Sequence, residues 1–148
     1  MSFLGAGVWG FFHTLAPVNM FTHGTQLTAA HGHLSFYGAY IMIIFTMVSY
    51  AMPILRGRPH GNCQKAQKVE LNSFWMMNIG MLGLTLALSA AGLVQIFDQR
   101  VGTHLIDFMD SQESINWIYI IRLGFGLLVF TGLLTYFYSF FVKEPAQA

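Results

Sequence analysis

Residues 22–40 read THGTQLTAAHGHLSFYGAY and open a long apolar segment, about Gln26 to Met52, that contains no charged residue. Three of the six histidines of the chain, His23, His31 and His33, lie in this stretch. The whole chain is 55% hydrophobic and 9% charged, and its mean hydropathy is +0.54. Ionisable side chains inside a segment of this kind are costly in a membrane and mark candidate functional sites.

Outside this stretch, the chain contains further apolar segments separated by short polar ones. They cover about Phe3 to Met20, which Pro17 interrupts, then about Asn72 to Phe97 and about Ser114 to Val142. A helix needs about 20 apolar residues to cross a bilayer, and a lipid-exposed backbone must satisfy its own hydrogen bonds. The sequence therefore predicts an all-α, polytopic transmembrane helix bundle, with three full spans plus a partial N-terminal helix.

The polar segments predict the orientation of the helices. Arg56, Arg58, Lys65 and Lys68 lie in the loop after the second segment, whereas the loop of residues 98–113 is mainly acidic. Because lysine and arginine near helix ends favour the cytoplasmic side, we expect that basic loop and the C-terminus to be cytoplasmic. The histidines would then lie near the outer end of their helix. The net charge of +1 and the absence of a basic stripe give no sign of nucleic-acid binding.

His31 and His33 are two residues apart, which on a helix means about 200° of rotation and about 3 Å of rise. Their imidazoles therefore point to opposite sides and cannot chelate one ion. They can ligate two separate metals, and haem iron is the natural candidate because histidine serves it as an axial ligand. The alternative is that both imidazoles hydrogen-bond to neighbouring helices.

The residues around the two histidines predict two different flanks. Ala29, Ala30 and Gly32 are small enough for two macrocycles to approach the backbone. Small residues, Ser35 and Gly38, follow on the His31 side, whereas the His33 side is followed by Phe36, Tyr37 and Tyr40. We therefore expect a small, open flank at His31 and an aromatic flank at His33.

The stretch GAGVWGFFHTLAPVNMFTHGTQLTAAHGHLSFYGAY resembles the large subunit of cytochrome c-dependent nitric oxide reductases, in the haem–copper oxidase superfamily. The shorter motifs RGRP, SFW, AGLVQ and IRLG strengthen the resemblance, which runs over nearly the whole chain. Only the C-terminal third of that subunit is matched. The resemblance implies that residues 1–148 form a single transmembrane region equivalent to the ninth (partial) to twelfth helices.

The resemblance also implies roles for the histidines. His31 would be the catalytic residue that holds the high-spin haem b3, His33 would hold the low-spin haem b, and His23 would lie near the haem propionates. The family reduces two NO molecules to N2O and water in the bacterial inner membrane. It takes electrons from a cytochrome c-type subunit.

The resemblance is incomplete in one important respect. The family holds its non-haem iron with a His-x-x-x-Glu motif and a His-His pair on earlier helices, and neither motif occurs in this sequence. We expect that iron in the complete enzyme, but not on ligands from this chain. The position of Met1 within a predicted helix favours a fragment, which the remaining part of the large subunit or a complementing chain would complete. Activity of this chain alone therefore stays open.

Several alternatives remain open. The chain can be part of an oxygen-reducing haem–copper oxidase, or a haem-free membrane remnant without a catalytic role. His13 either faces the haem pocket or bonds to a neighbouring helix. Arg122 either snorkels outward or contacts a haem propionate or a carboxylate of another chain.

Overall fold

The computed structural model describes residues 2–55, 64–102 and 107–142. These ranges are helical apart from short turns, and no strand occurs in them. The helices are α1 (Ser2–Thr14), α2 (Ala16–Thr22), α3 (Gln26–Ser35), α4 (Met42–Leu55), α5 (Gln64–Ile96), α6 (Phe108–Ser114) and α7 (Asn116–Ser139), and two π-helical turns cover Phe36–Ile41 and Phe97–Val101. Arg56 and Arg58 of the predicted basic loop lie outside the described ranges, as do His60, Cys63 and His104.

Three helical stretches of the described ranges are long and apolar enough to cross a membrane. They are Gln26–Leu55, Gln64–Val101 and Asn116–Ser139. The shorter helices α1 and α2 precede them. The predicted all-α architecture of three full spans and a partial N-terminal helix is therefore confirmed.

The first apolar segment is broken into two helices at Leu15, whose backbone is extended with φ −74° and ψ 122°. Pro17 occupies the beginning of α2. Proline has no N–H and its ring clashes with the carbonyl four residues earlier, which here is that of His13. A continuous helix is therefore excluded, and α1 ends one turn before the proline.

Two predicted loops are partly helical, so their predicted extents are wrong. α5 begins at Gln64 rather than near Asn72, and α6 occupies Phe108–Ser114 within the predicted acidic loop. The reason is that apolar content marks only the part of a helix that crosses a membrane. Glutamine, lysine and glutamate are good helix formers, and they extend α5 beyond its apolar part.

α5 is the centre of the molecule, and α7 packs along it through glycines. A Cβ added at Gly80 would lie 2.7 Å from Val129 Cγ2 and 3.0 Å from the Phe125 carbonyl oxygen. On α7, a Cβ at Gly132 would lie 2.7 Å from Met77 Cγ. Small residues allow two membrane helices to approach closely, where dispersion contacts hold them together.

α3 packs on the other end of α5. A Cβ at Gly92 would overlap the backbone of Leu27, so α3 and α5 touch there through main-chain atoms. Ala30 is fully buried, at 0% exposure, in a cluster that includes Leu84 and Leu88 of α5. Its small side chain therefore serves helix packing, where the sequence had suggested room for a macrocycle.

α4 has no buried residue in the described structure. Its partly buried Met42 and Phe45 pack on the core. The hydroxyl of Tyr136 on α7 donates to the Phe45 carbonyl at 3.0 Å and lies 2.8 Å from Ser49 Oγ. α4 therefore packs on the bundle less fully than α3, which carries the two histidines and is fixed on α5.

Candidate functional site

The imidazole of His31 lies against α1. Its ring centroid is 5.4 Å from that of His13 and 6.1 Å from that of Trp9. Trp9 and His13 are four residues apart, so they share one face of α1. The structure thus brings a second histidine to His31, and it adds a tryptophan whose role the sequence pattern does not indicate.

The two α1 rings are also bonded to each other. Trp9 Nε1 donates a hydrogen bond to His13 Nε2 at 2.9 Å. Because the indole nitrogen can only donate, His13 Nε2 is the acceptor and carries no proton. The proton of a neutral His13 ring is then on Nδ1.

Two further contacts define the surroundings of His31. Ser35 Oγ lies 3.5 Å from His31 Nδ1, at the limit of a hydrogen bond. A Cβ added at Gly10 would lie 3.0 Å from His31 Cε1 and 3.2 Å from Nε2. The Cε1–Nε2 edge of this imidazole therefore lies against α1 at Gly10, where any larger residue would crowd the ring.

His33 has different surroundings. It is exposed, and its Nδ1 lies 2.8 Å from the Ala29 carbonyl oxygen. A carbonyl can only accept, so Nδ1 donates, and in the neutral ring Nε2 then carries the lone pair. A backbone carbonyl that fixes the tautomer in this way is the usual partner of a metal-ligating histidine, so the His33 imidazole is preset for a ligand on its Nε2 side.

His23 lies in the turn between α2 and α3, and its side chain is exposed. The Arg100 guanidinium holds this turn through two backbone carbonyls, donating to Met20 and to His23 at 2.6 Å each. Gln95 adds a third tie, because its Oε1 accepts from the Gln26 backbone N–H at 2.8 Å. The end of α5 and the π-helical turn after it thus set the position at which α3 begins.

The predicted flanks of α3 need correction. The His31 side is not small and open, because the rings of Trp9 and His13 lie there. Tyr37 does not line the His33 side but is buried in the core, at 2% exposure. The first error arose because α1 supplies those rings. The second arose because Tyr37 is seven residues after Ala30 and shares with it the face that packs on α5.

The remaining part of the His33 flank agrees with the expectation. Phe36 and Tyr40 are 67% and 62% exposed, and their ring centroids are 5.7 Å apart. They form an aromatic surface beside His33. Arg122 is partly exposed on α7, and both interpretations of its role stay open.

The donor set fits haem better than a bare metal ion. No group of three His, Cys, Asp or Glu side chains that could hold a metal occurs within residues 2–55, 64–102 and 107–142. Haem needs only an axial imidazole, because the porphyrin supplies the other ligands. His33, whose Nδ1 lies 2.8 Å from the Ala29 carbonyl oxygen, and His31 each carry an imidazole of the kind that an axial position needs.

The family described as cytochrome C and quinol oxidase polypeptide I matches residues 1–142. The chain belongs to this family. A nitric oxide reductase subunit of Stutzerimonas stutzeri is 52% identical over 141 residues, which are 94% of this chain and 30% of that protein. The chain thus spans about 30% of the length of this relative, and the predicted resemblance is confirmed.

Membership of this family makes the chain a haem–copper oxidase-type membrane protein. Haem and iron are the cofactors that the family implies. The roles of His23, His31 and His33 stay predictions.

Proposed function

We propose that the chain is the haem-binding membrane segment of a nitric oxide reductase, with residues 1–148 as one transmembrane region equivalent to the ninth (partial) to twelfth helices. The reaction of the complete enzyme would combine two NO molecules, two electrons and two protons to give one N2O and one water. A cytochrome c-type partner would supply the electrons. The remaining part of the large subunit, or a complementing chain, would supply the non-haem iron ligands.

The observation that carries the proposal is the difference between the two imidazoles of α3. His31 contacts α1, whereas His33 is exposed with Nδ1 held by the Ala29 carbonyl. Two neighbouring histidines with separate surroundings suit two separate haems. His33 would hold haem b, His31 would hold haem b3 as the catalytic residue, and the exposed His23 would lie near the propionates.

The haems supply the redox chemistry when they are bound. The contribution of this chain is to orient the axial ligands and to fix them relative to each other. α3 does so because it is a continuous helix whose start is tied to α5 by Gln95, and whose Ala30 is buried next to the two histidines. Both ligands therefore move as one body.

NO is favoured over O2 as the substrate because of the similarity of the chain to a nitric oxide reductase subunit. The 52% identity is to a nitric oxide reductase subunit, whereas the family as a whole is described by cytochrome c and quinol oxidases. A haem-free remnant is the remaining alternative. An absorption spectrum of the purified, assembled protein distinguishes it, because a remnant would show no haem bands.

Single substitutions of the two histidines test the assignment of ligands. In the protein assembled with its complementing helices, His33→Ala should abolish the low-spin signal, because a bis-histidine haem needs both axial imidazoles. His31→Ala should keep that signal and disturb the high-spin, NO-binding haem. Reduced-minus-oxidised absorption and low-temperature EPR give both signals. The assignment would be refuted if one of the variants lost both signals in a folded complex. It would also be refuted if both variants kept both signals unchanged.

We also propose that the chain lies in the bacterial inner membrane with a cytoplasmic C-terminus. The lysine and arginine bias of the loop after Leu55 supports this orientation. An impermeant thiol reagent should label Cys63 in inverted vesicles and not in right-side-out vesicles. The opposite labelling pattern would reverse the topology.

A further inference from the structure

The α1 face next to His31 contains a bonded pair that the proposed ligand roles do not use. Trp9 Nε1 donates to His13 Nε2 at 2.9 Å, and both rings contact His31. Ionisable groups in apolar membrane helices are uncommon, and His13 is therefore a candidate functional residue. His13 is one turn from Trp9 and its acceptor nitrogen is already engaged, so a direct bond from that nitrogen to a ligand is excluded while the pair is intact.

We propose that Trp9 and His13 are positioning residues for His31 and act as a unit through their hydrogen bond. The bond fixes the rotation of the His13 ring, and this ring in turn limits the rotation of the His31 ring. The inference rests on the proposed function, because it assigns the pair to the haem ligand His31.

The contacts of His31 on its own helix make such support necessary. His33 has a backbone carbonyl 2.8 Å from Nδ1, which fixes its ring without help. His31 has only Ser35 Oγ at 3.5 Å from Nδ1. Outer partners of metal-ligating histidines typically change metal affinity by about 10–100-fold when they are removed. The ring of His33 is thus oriented by a hydrogen bond within α3. The ring of His31 is instead oriented by contact with the rings of α1.

Two substitutions break the bond while keeping a ring at each position. Trp9→Phe removes the donor, and His13→Phe removes the acceptor. In the assembled complex, each should raise the dissociation rate of the high-spin haem about tenfold. Each should also shift or broaden the iron–histidine stretching band in the Raman spectrum of the reduced protein. The low-spin spectrum should stay unchanged in both variants, and it reports that the complex is folded.

The double variant tests whether the two residues act as a unit. If they act through one hydrogen bond, Trp9→Phe combined with His13→Phe should be no worse than either single variant. Phe12→Leu is the matched control, because Phe12 neighbours His13 on α1 but is 49% exposed. It should leave the Raman band and the dissociation rate at their original values.

Two results would overturn the proposal, and they differ in what else they imply. A high-spin haem whose Raman band is unmoved in both single variants would refute the positioning pair and leave the proposed function intact. Absence of any high-spin haem in the unmodified complex would refute both. If His13→Phe alone lost both haem signals through misfolding, Trp9→Phe would decide the matter by the same measurements.

Discussion

The α5–α7 pair and the α1–α3 pair are both close helix contacts, but they are built differently. Between α5 and α7, glycines face backbone atoms and side chains, as at Gly80 against Phe125 and Val129. Between α1 and α3, Gly10 faces only the end of a flexible imidazole, that of His31. The α5–α7 contact is formed by apolar packing, whereas the α1–α3 contact brings the imidazoles of His13 and His31 together.

The two contacts should respond differently when a methyl group is added at the glycine. A neighbouring backbone cannot move without displacing its whole helix, whereas the far end of a side chain can rotate. The α5–α7 contact should therefore determine the stability of the bundle. The α1–α3 contact should determine the orientation of a ligand at little cost in stability.

The largest expected effect is that of Gly80→Ala. The added methyl would lie 3.0 Å from both the Phe125 carbonyl oxygen and the Val129 backbone nitrogen, so α7 must shift. Overpacking of this kind costs about 1–3 kcal/mol. Unfolding of the purified protein by titration with SDS in mild detergent measures the loss.

Gly124→Ala is the matched control for this substitution, because a Cβ at Gly124 meets nothing within 4 Å. It should leave the free energy of unfolding unchanged or raise it slightly, since alanine loses less backbone entropy than glycine. Equal losses from the two variants would show that the close contact does not determine stability.

A glycine-to-alanine substitution at the α1–α3 contact should act on the proposed haem ligand His31. Gly10→Ala places a methyl 3.0 Å from His31 Cε1 and 3.2 Å from Nε2. We expect the dissociation rate of the high-spin haem to rise about tenfold, with a smaller loss of stability than Gly80→Ala gives. Gly7→Ala, with nothing within 4 Å of its Cβ, should change neither quantity. A Gly10→Ala variant that lost stability as Gly80→Ala does, and kept its haem, would contradict the comparison.

The smallest expected effect is at the turn that precedes α3. Arg100→Gln removes the guanidinium bonds to the carbonyls of Met20 and His23. Because these bonds are exposed, we expect a loss of only about 1 kcal/mol. It should appear as faster hydrogen exchange of the backbone amides of residues 23–28.

Arg100→Lys separates charge from geometry at this turn. A single ammonium group lacks the planar fork of arginine, so it should bond one carbonyl at a time and give an intermediate exchange rate. Exchange as slow as in the unmodified protein would mean that positive charge alone holds the turn.

Much of the fold was predictable because membrane helices are specified by local composition. The three spans follow from apolar length, and the break before Pro17 follows from the chemistry of proline. Helix ends were predicted less well, as at Gln64, because the polar ends of α5 have no hydropathy signal. The spacing of His31 and His33 likewise defined a candidate site before any tertiary contact was known.

The sequence by itself determined that two imidazoles lie about 200° apart on one apolar helix, because this follows from the helical repeat alone. Only the tertiary structure decided what each imidazole meets. It placed Trp9 and His13 beside His31, and it buried Tyr37 in the core. These outcomes depend on which helices pack together and at what distance. Glycines such as Gly10 and Gly92 set those distances through the space that they leave between helices.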